Sequence, residues 1–326
     1  MTFDDVARIV KTTRLLWLAL LLANFLALPW LISESLIFLI TEFLIMALYA
    51  MSYNLLFGQT GMLSFGHAAF YGVGAYTVAL LFAYLRIQLV PAIFLAPLVA
   101  GLIGLIIGFF VLRLTGFYFA ITTTAFAQLV YTVVYEWYGF TGGDNGVHVV
   151  PPDYLLATTN YYYFTLGTVV VCIALLHMIT VSPFGAALGG IRENPERVAF
   201  IGINIRAYQL AAFIIGGAFA GVAGALRAPF QQMAFPSLLF WTSSADPLLM
   251  ALAGGFHTFF GPIIGAAIFV FVNFYFAIRT EYALMFLGIL ITLIVLFLPG
   301  GVVGFVERIL FRGKDRNRKS VGSGGN

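Results

Sequence analysis

Residues 246–278 read DPLLMALAGGFHTFFGPIIGAAIFVFVNFYFAI. How this run is divided decides the architecture. An apolar helix needs about 20 residues to cross a hydrocarbon layer of about 30 Å. The run is too long for one crossing and barely enough for two. Gly254, Gly255, Gly261 and Pro262 punctuate it. A cut at 255–260 predicts a short span near 242–257 and another near 261–278. The other apolar runs are 15–32, Leu36–Phe57, His67–Leu85, Pro91–Leu112, Gly116–Trp137, Asn160–Val181, Ala207–Ala228 and Tyr282–Val306, the last broken at Pro299. With the cut the chain makes about ten crossings, and without it nine.

Charge chooses between them. The N-terminus carries Arg8, Lys11 and Arg14, and the tail carries Arg308, Arg312, Lys314, Arg316, Arg318 and Lys319. Basic flanks stay on the cytoplasmic side. Both ends inside demands an even number. With ten crossings 13 Lys and Arg fall inside, and Arg86, Arg227 and Arg279 fall outside or at outer ends. The loop Tyr138–Thr159 holds Asp144 and Asp153 but no Lys or Arg, which suits an outer face. The first run is expected to be an uncleaved helix, since no small-residue cleavage site follows it. Residues 1–306 then form one membrane domain and 307–326 a basic cytoplasmic tail.

Composition agrees. Of 326 residues 62% are hydrophobic and 9% charged, and the net charge is +3. Mean hydropathy is +1.01. Soluble domains carry roughly 25% charged residues, so a soluble enzyme, a disordered chain and a nucleic-acid binder are excluded. The single cysteine, Cys172, allows no intrachain disulfide and no cysteine metal cluster. The fold class expected is all-α and polytopic, with some spans short or broken.

Within this frame, Asn54–Tyr76 (NLLFGQTGMLSFGHAAFYGVGAY) gathers Gly58, Gly61, Gly66, Gly72 and Gly74 with Gln59, Thr60 and Ser64. Small residues allow helices to approach closely in lipid. Glycines also let a chain unwind at membrane depth beside a transport path. Both roles are expected at once, because Gln59, Thr60 and Ser64 add polar groups that packing does not need. His67 opens the third span with no second His at i+3 or i+4, so a metal site is not indicated. It is either a structural histidine or one that touches substrate. Glu42 lies about six residues, roughly 9 Å, inside the second span. An intramembrane carboxylate is a functional candidate, although near an outer boundary it can also reach the interface.

The inner loop 182–206, SPFGAALGGIRENPERVAFIGINIR, carries the clearest punctuation. Ser182-Pro183 starts one helix, with Gly189 or Gly190 as its stop; Asn194-Pro195 starts another, with Gly202 as its stop. Helices over 183–188 and 195–201 are predicted. Such short pieces need something to pack against, either a soluble partner or the bilayer surface. Arg192, Glu193, Glu196 and Arg197 flank apolar Val198, Ala199, Phe200 and Ile201. The chain has no Gly-x4-Gly-Lys-Ser/Thr motif, so ATP cannot bind it through a P-loop.

The stretch 54–76 together with the loop 182–206 resembles the branched-chain amino-acid ABC permeases of the LivM/LivH type, and looks closer to LivM. Gly116–Gln128, Thr141-Gly142-Gly143, Ala218–Leu226 and Gly254–Ala266 add to the likeness, which covers residues 36–305. ENPERVAFIGINI is similar to the permease EAA loop, with Glu193, Ala199 and Gly202 at its Glu, Ala and Gly positions. The resemblance implies a type II-importer-like permease in the bacterial inner membrane that binds no cofactor itself. It implies partners: ABC ATPase subunits that use the ATP, a second permease subunit (LivH-like, or a second copy as a homodimer) and a periplasmic solute-binding protein. Arg192, Glu193, Asn194, Glu196, Arg197, Ala199 and Gly202 would then serve ATPase coupling. Relatives of this type handle leucine, isoleucine and valine, and others urea, amides or aromatic acids. Ala186 and Gly189 stand where many relatives carry basic residues. A self-sufficient secondary carrier and a membrane scaffold are the other classes compatible with the composition. With essentially one buried ionisable group legible in the spans, a proton-coupled carrier is the weaker fit.

Overall fold

The computed structural model describes residues 23–298, 300–306 and 308–309. The predicted first run falls largely outside them. Its described part, 23–31, is helical. The backbone carbonyls of Phe25 and Leu26 accept hydrogen bonds from the Tyr162 and Tyr163 hydroxyls at 2.6 and 3.0 Å.

Helix α1 spans Glu34–Asn54 and runs directly into a π-helical turn, Leu55–Gln59. A non-helical stretch, 61–66, leads to α2, His67–Leu85. Next come α3, Leu89–Val111, α4, Gly116–Glu136, and α5, Thr158–Val181. The loop after α5 forms α6, Pro183–Glu193, and α7, Pro195–Phe200. Helix α8, Ile205–Phe230, follows. The run quoted at the outset divides into α9, Ala245–Gly254, and α10, Gly261–Ala277, before α11, Ala283–Phe297.

Among the described residues seven helical segments are long and apolar enough to cross a membrane: Glu34–Gln59, His67–Leu85, Leu89–Val111, Gly116–Glu136, Thr158–Val181, Ile205–Phe230 and Met285–Val306. Helix α10 has 17 residues. The span predicted near 242–257 is shorter than expected. Helix α9 has ten residues, about 15 Å at 1.5 Å per residue. Two 3-10 turns, Pro236–Leu239 and Trp241–Ser244, precede it. Pro236 has no N–H to continue a helix, and Phe240 between the turns is extended.

At the centre α8 packs on α1, α2 and α3, and α1 also packs on α5, α9 and α10. Backbones touch where α2 crosses α8. A Cβ on Gly74 would collide with the Gly221 carbonyl, and one on Gly224 with the Tyr71 carbonyl. Reciprocal glycines thus bring two helices together where lipid gives no hydrophobic drive for their association. Helices α4 and α11 keep most of their apolar side chains on the outside, as Phe117, Ile121, Leu129, Ile289 and Leu296 show.

The bundle has two distinct ends. At one, two-residue strands β1, Val147–His148, and β2, Met233–Ala234, pair antiparallel. There the Tyr84 hydroxyl donates to the carbonyls of Gly139 and Phe140 at 3.1 and 3.0 Å. At the other, the π-helical turn meets α6 and the 255–260 turn. The Phe57 and Phe256 rings lie 4.8 Å apart there.

Candidate functional site

The glycine-rich stretch is interrupted at 61–66, a non-helical segment between the π-helical turn and α2. Its exposed backbone is satisfied by side chains, as a break inside a membrane requires. Phe65 N–H donates to Thr123 Oγ1 at 3.2 Å, and Gly66 N–H to Ser64 Oγ at 3.2 Å. Gly66 lies so close to the Thr123 carbonyl that no side chain fits between them. Gly58 sits against the Asn54 side chain and the Phe256 carbonyl, and Gly72 against Leu239. Gln59 is half-buried, Gly61 exposed and Ser64 fully buried.

His67 is fully buried. Its Nε2 lies 2.9 Å from Ser52 Oγ, and Tyr49, Tyr53 and Phe70 surround the ring. Nδ1 has no hydrogen-bond partner among the described residues. Just beyond, Ala68 N–H donates to Ser244 Oγ at 2.8 Å. The Tyr49 hydroxyl donates to the Ser243 carbonyl at 3.1 Å. The starts of α2 and α9 therefore meet inside the bundle, where two chain breaks share their polar groups.

In the loop, the start signals act through side-chain caps. Ser182 Oγ accepts from Gly185 N–H at 3.4 Å, and Asn194 Oδ1 from Arg197 N–H at 3.1 Å. The expected stop at Gly189 or Gly190 is overturned, since α6 continues to Glu193. Burial of Leu188 and Ile191 outweighs the helix cost of glycine, about 1 kcal/mol each. Gly202 follows α7 with φ of +85°, the left-handed conformation that glycine adopts freely.

The flanking charges divide. Glu193, Glu196, Arg197 and Ala199 are exposed and Asn194 half-buried. Arg192 turns inward, and its Nη1 donates to the Gly58 carbonyl. Val198 is buried and lies over Gly190, while Phe200 is 90% and Ile201 73% exposed. Arg192, Gly58 and Gly61 are thus brought together with Phe256. His257 joins them, its imidazole held below the ordinary range by partial burial and then by the Arg192 guanidinium.

Glu42 belongs to the opposite end. Arg227 Nη1 donates to Glu42 Oε1 at 2.8 Å, tying α8 to α1. Asp246, in the first turn of α9, lies within electrostatic reach of the same guanidinium. Sequence reasoning put Arg227 outside or at an outer end and did not pair it with Glu42 or Asp246. The available signal was an opposite charge near the same end of another span, but which spans are neighbours is a tertiary fact.

An apolar crevice of about 620 Å³ opens between α3, α5 and α8, walled by Phe94, Pro97, Phe164, Val171 and Phe219. No charged group lines it, so it suits acyl chains better than a polar solute. At the end marked by the strands, a cavity of about 340 Å³ is lined by Tyr131, Tyr135, Asp144, Ser237, Thr242 and Ser243. Sequence reasoning did not single out these groups as a set. Ser243 connects this cavity to Tyr49 in the interior.

Broken half-length helices in a multi-pass apolar bundle, with a capped helical loop at one end, define a membrane transport subunit. The chain belongs to the family described as "Branched-chain amino acid transport system / permease component", whose model matches residues 35–296. It is a permease subunit of an ABC importer, a multi-pass inner-membrane protein and not an enzyme, the ATPase being a separate subunit. It is 29% identical over 316 residues to the "High-affinity branched-chain amino acid transport system permease protein LivM" of Escherichia coli (strain K12), covering 88% of this chain and 74% of that one. The protein of the same description named LivH, from Salmonella typhimurium, is 26% identical over 291 residues, 80% of this chain and 92% of its own. A probable LivM of Methanocaldococcus jannaschii is 27% identical over 236 residues, 64% of this chain and 67% of its own. No solved structure matches.

Proposed function

We propose that this subunit imports branched-chain amino acids as half of a permease pair, crossing the membrane about ten times with both termini in the cytoplasm. The observation that carries the reading is the α7 knob. Phe200 and Ile201 stand exposed beside the rim of Glu193, Glu196 and Arg197, at the end of the bundle that sequence charge assigns to the cytoplasm. ATPase subunits dock there, and a solute-binding protein delivers substrate at the other end. Matches to both LivM and LivH of Escherichia coli favour a pair of related but different permeases over two copies of this chain. The relatives' names carry the substrate class. The glycine-rich stretch supplies the tight, partly unwound contacts of the pathway. A ligand shifts a conformational equilibrium only through unequal affinity for its states, so closure of ATP-loaded ATPases on α7 supplies the driving difference.

The test is reconstitution of the permease pair with its ATPases and binding protein in liposomes, measuring labelled leucine uptake. ATP-dependent uptake that requires the binding protein is expected. Uptake driven by a proton gradient without ATP would make the chain a secondary carrier, and transport of urea in place of leucine would remove the substrate assignment. For orientation, Val150→Cys and Ile201→Cys are placed separately in a Cys172→Ala background. An impermeant thiol reagent should label position 150 and not 201 in intact cells; the reverse pattern would invert the topology.

A further inference from the structure

We infer that Arg192 is a positioning residue that ties the loop 182–206 to the end of α1, so that motion of the loop passes to the π-helical turn and the non-helical stretch 61–66. The inference rests on the reading that this loop receives the ATPase. Arg192 is the penultimate residue of α6, yet its guanidinium reaches a residue 134 positions earlier. The way α1 ends explains why. Gly61 N–H goes to the Phe57 carbonyl and Met62 N–H to the Leu56 carbonyl, both at 3.1 Å. Both bonds bypass the Gly58 carbonyl, which Arg192 takes. A cation there also meets the negative end of the helix dipole.

The stem of Arg192 is fitted as well as its head. A Cβ on Gly61 would lie 3.2 Å from Arg192 Cγ, so the non-helical stretch begins against the arginine. Gly58 in turn rests on the Phe256 carbonyl, and the Phe57 ring packs on Phe256. Displacing Gly58 therefore moves the turn between α9 and α10 too. The segment held this way is a π-helical turn, a rare geometry that recurs at functional sites. The other charges of the loop, Glu193, Glu196, Arg197 and Arg206, are exposed and free to meet a partner. Arg192 faces the membrane domain.

The experiment uses the complete reconstituted transporter with Arg192→Met, which keeps an apolar stem, and Arg192→Gln, which keeps a neutral donor. Amino acid imported per ATP hydrolysed is measured together with ATPase co-purification. The Met variant should retain its ATPases and basal hydrolysis within about twofold, while uptake per ATP falls roughly tenfold, as expected for loss of one charge-assisted hydrogen bond. The Gln variant should lie between. Wild-type uptake per ATP in the Met variant overturns the inference alone. Loss of both variants from the membrane also overturns it, by making Arg192 a folding residue. A wild-type permease that binds no ATPase removes the reading beneath the inference, and the inference with it.

Discussion

Helices α6 and α7 start with the same kind of signal and end in opposite environments. Each has a polar cap followed by proline, Ser182-Pro183 and Asn194-Pro195. Helix α6 buries Leu188 and Ile191 and sends Arg192 inward to Gly58. Helix α7 buries Val198 and leaves Phe200 and Ile201 in the open. Capping decides where a helix begins. What the helix does depends on which of its faces finds a partner within the chain. One helix is attached to the membrane domain, and the next offers an apolar surface that nothing in the described chain covers.

The most severe way to test this contrast is Phe200→Asp with Ile201→Asp. ATPase co-purification and uptake should fall to background while thermal stability of the permease stays within a degree or two. Val198 is left alone because its burial would confuse assembly with folding. Normal co-purification would show that α7 is not the docking element. Leu188→Ala should do the reverse, costing about 3 kcal/mol of stability through a buried cavity, read as a lower melting temperature in detergent. An unchanged melting temperature would mean that α6 is not held by its buried face.

Gly202→Val comes next in size. Forcing a β-branched side chain to φ of +85° costs about 1–3 kcal/mol. This should weaken ATPase retention without removing the protein from the membrane; full retention would make the end of α7 irrelevant to docking. Asn194→Ala should cost about 1 kcal/mol by removing the cap of α7. Ser182→Ala should cost less, about 0.5 kcal/mol, because its cap bond is longer at 3.4 Å. Equal losses in melting temperature for these two caps would erase the difference between them.

Much of this protein was legible without coordinates. Apolar length and the scarcity of charge determined a polytopic helical bundle, because backbone in lipid must satisfy itself. The punctuation at Ser182-Pro183, Asn194-Pro195 and Gly202 determined where the loop helices begin and where the second ends, because caps and left-handed residues act locally. The Gly254, Gly255, Gly261 and Pro262 cluster marked the break between α9 and α10 for the same reason. Other features depended on which segments became neighbours. Helix α6 passes through Gly189 and Gly190 because Leu188 and Ile191 find a buried face there. Residues 236–244 make two turns before α9 begins, leaving that helix ten residues long. The Glu42–Arg227 pair joins residues 185 positions apart, and Arg192 reaches Gly58 across 134 positions. Local propensity carries no information about contacts at such separations; only packing of the whole chain brings those charges and carbonyls within hydrogen-bonding distance.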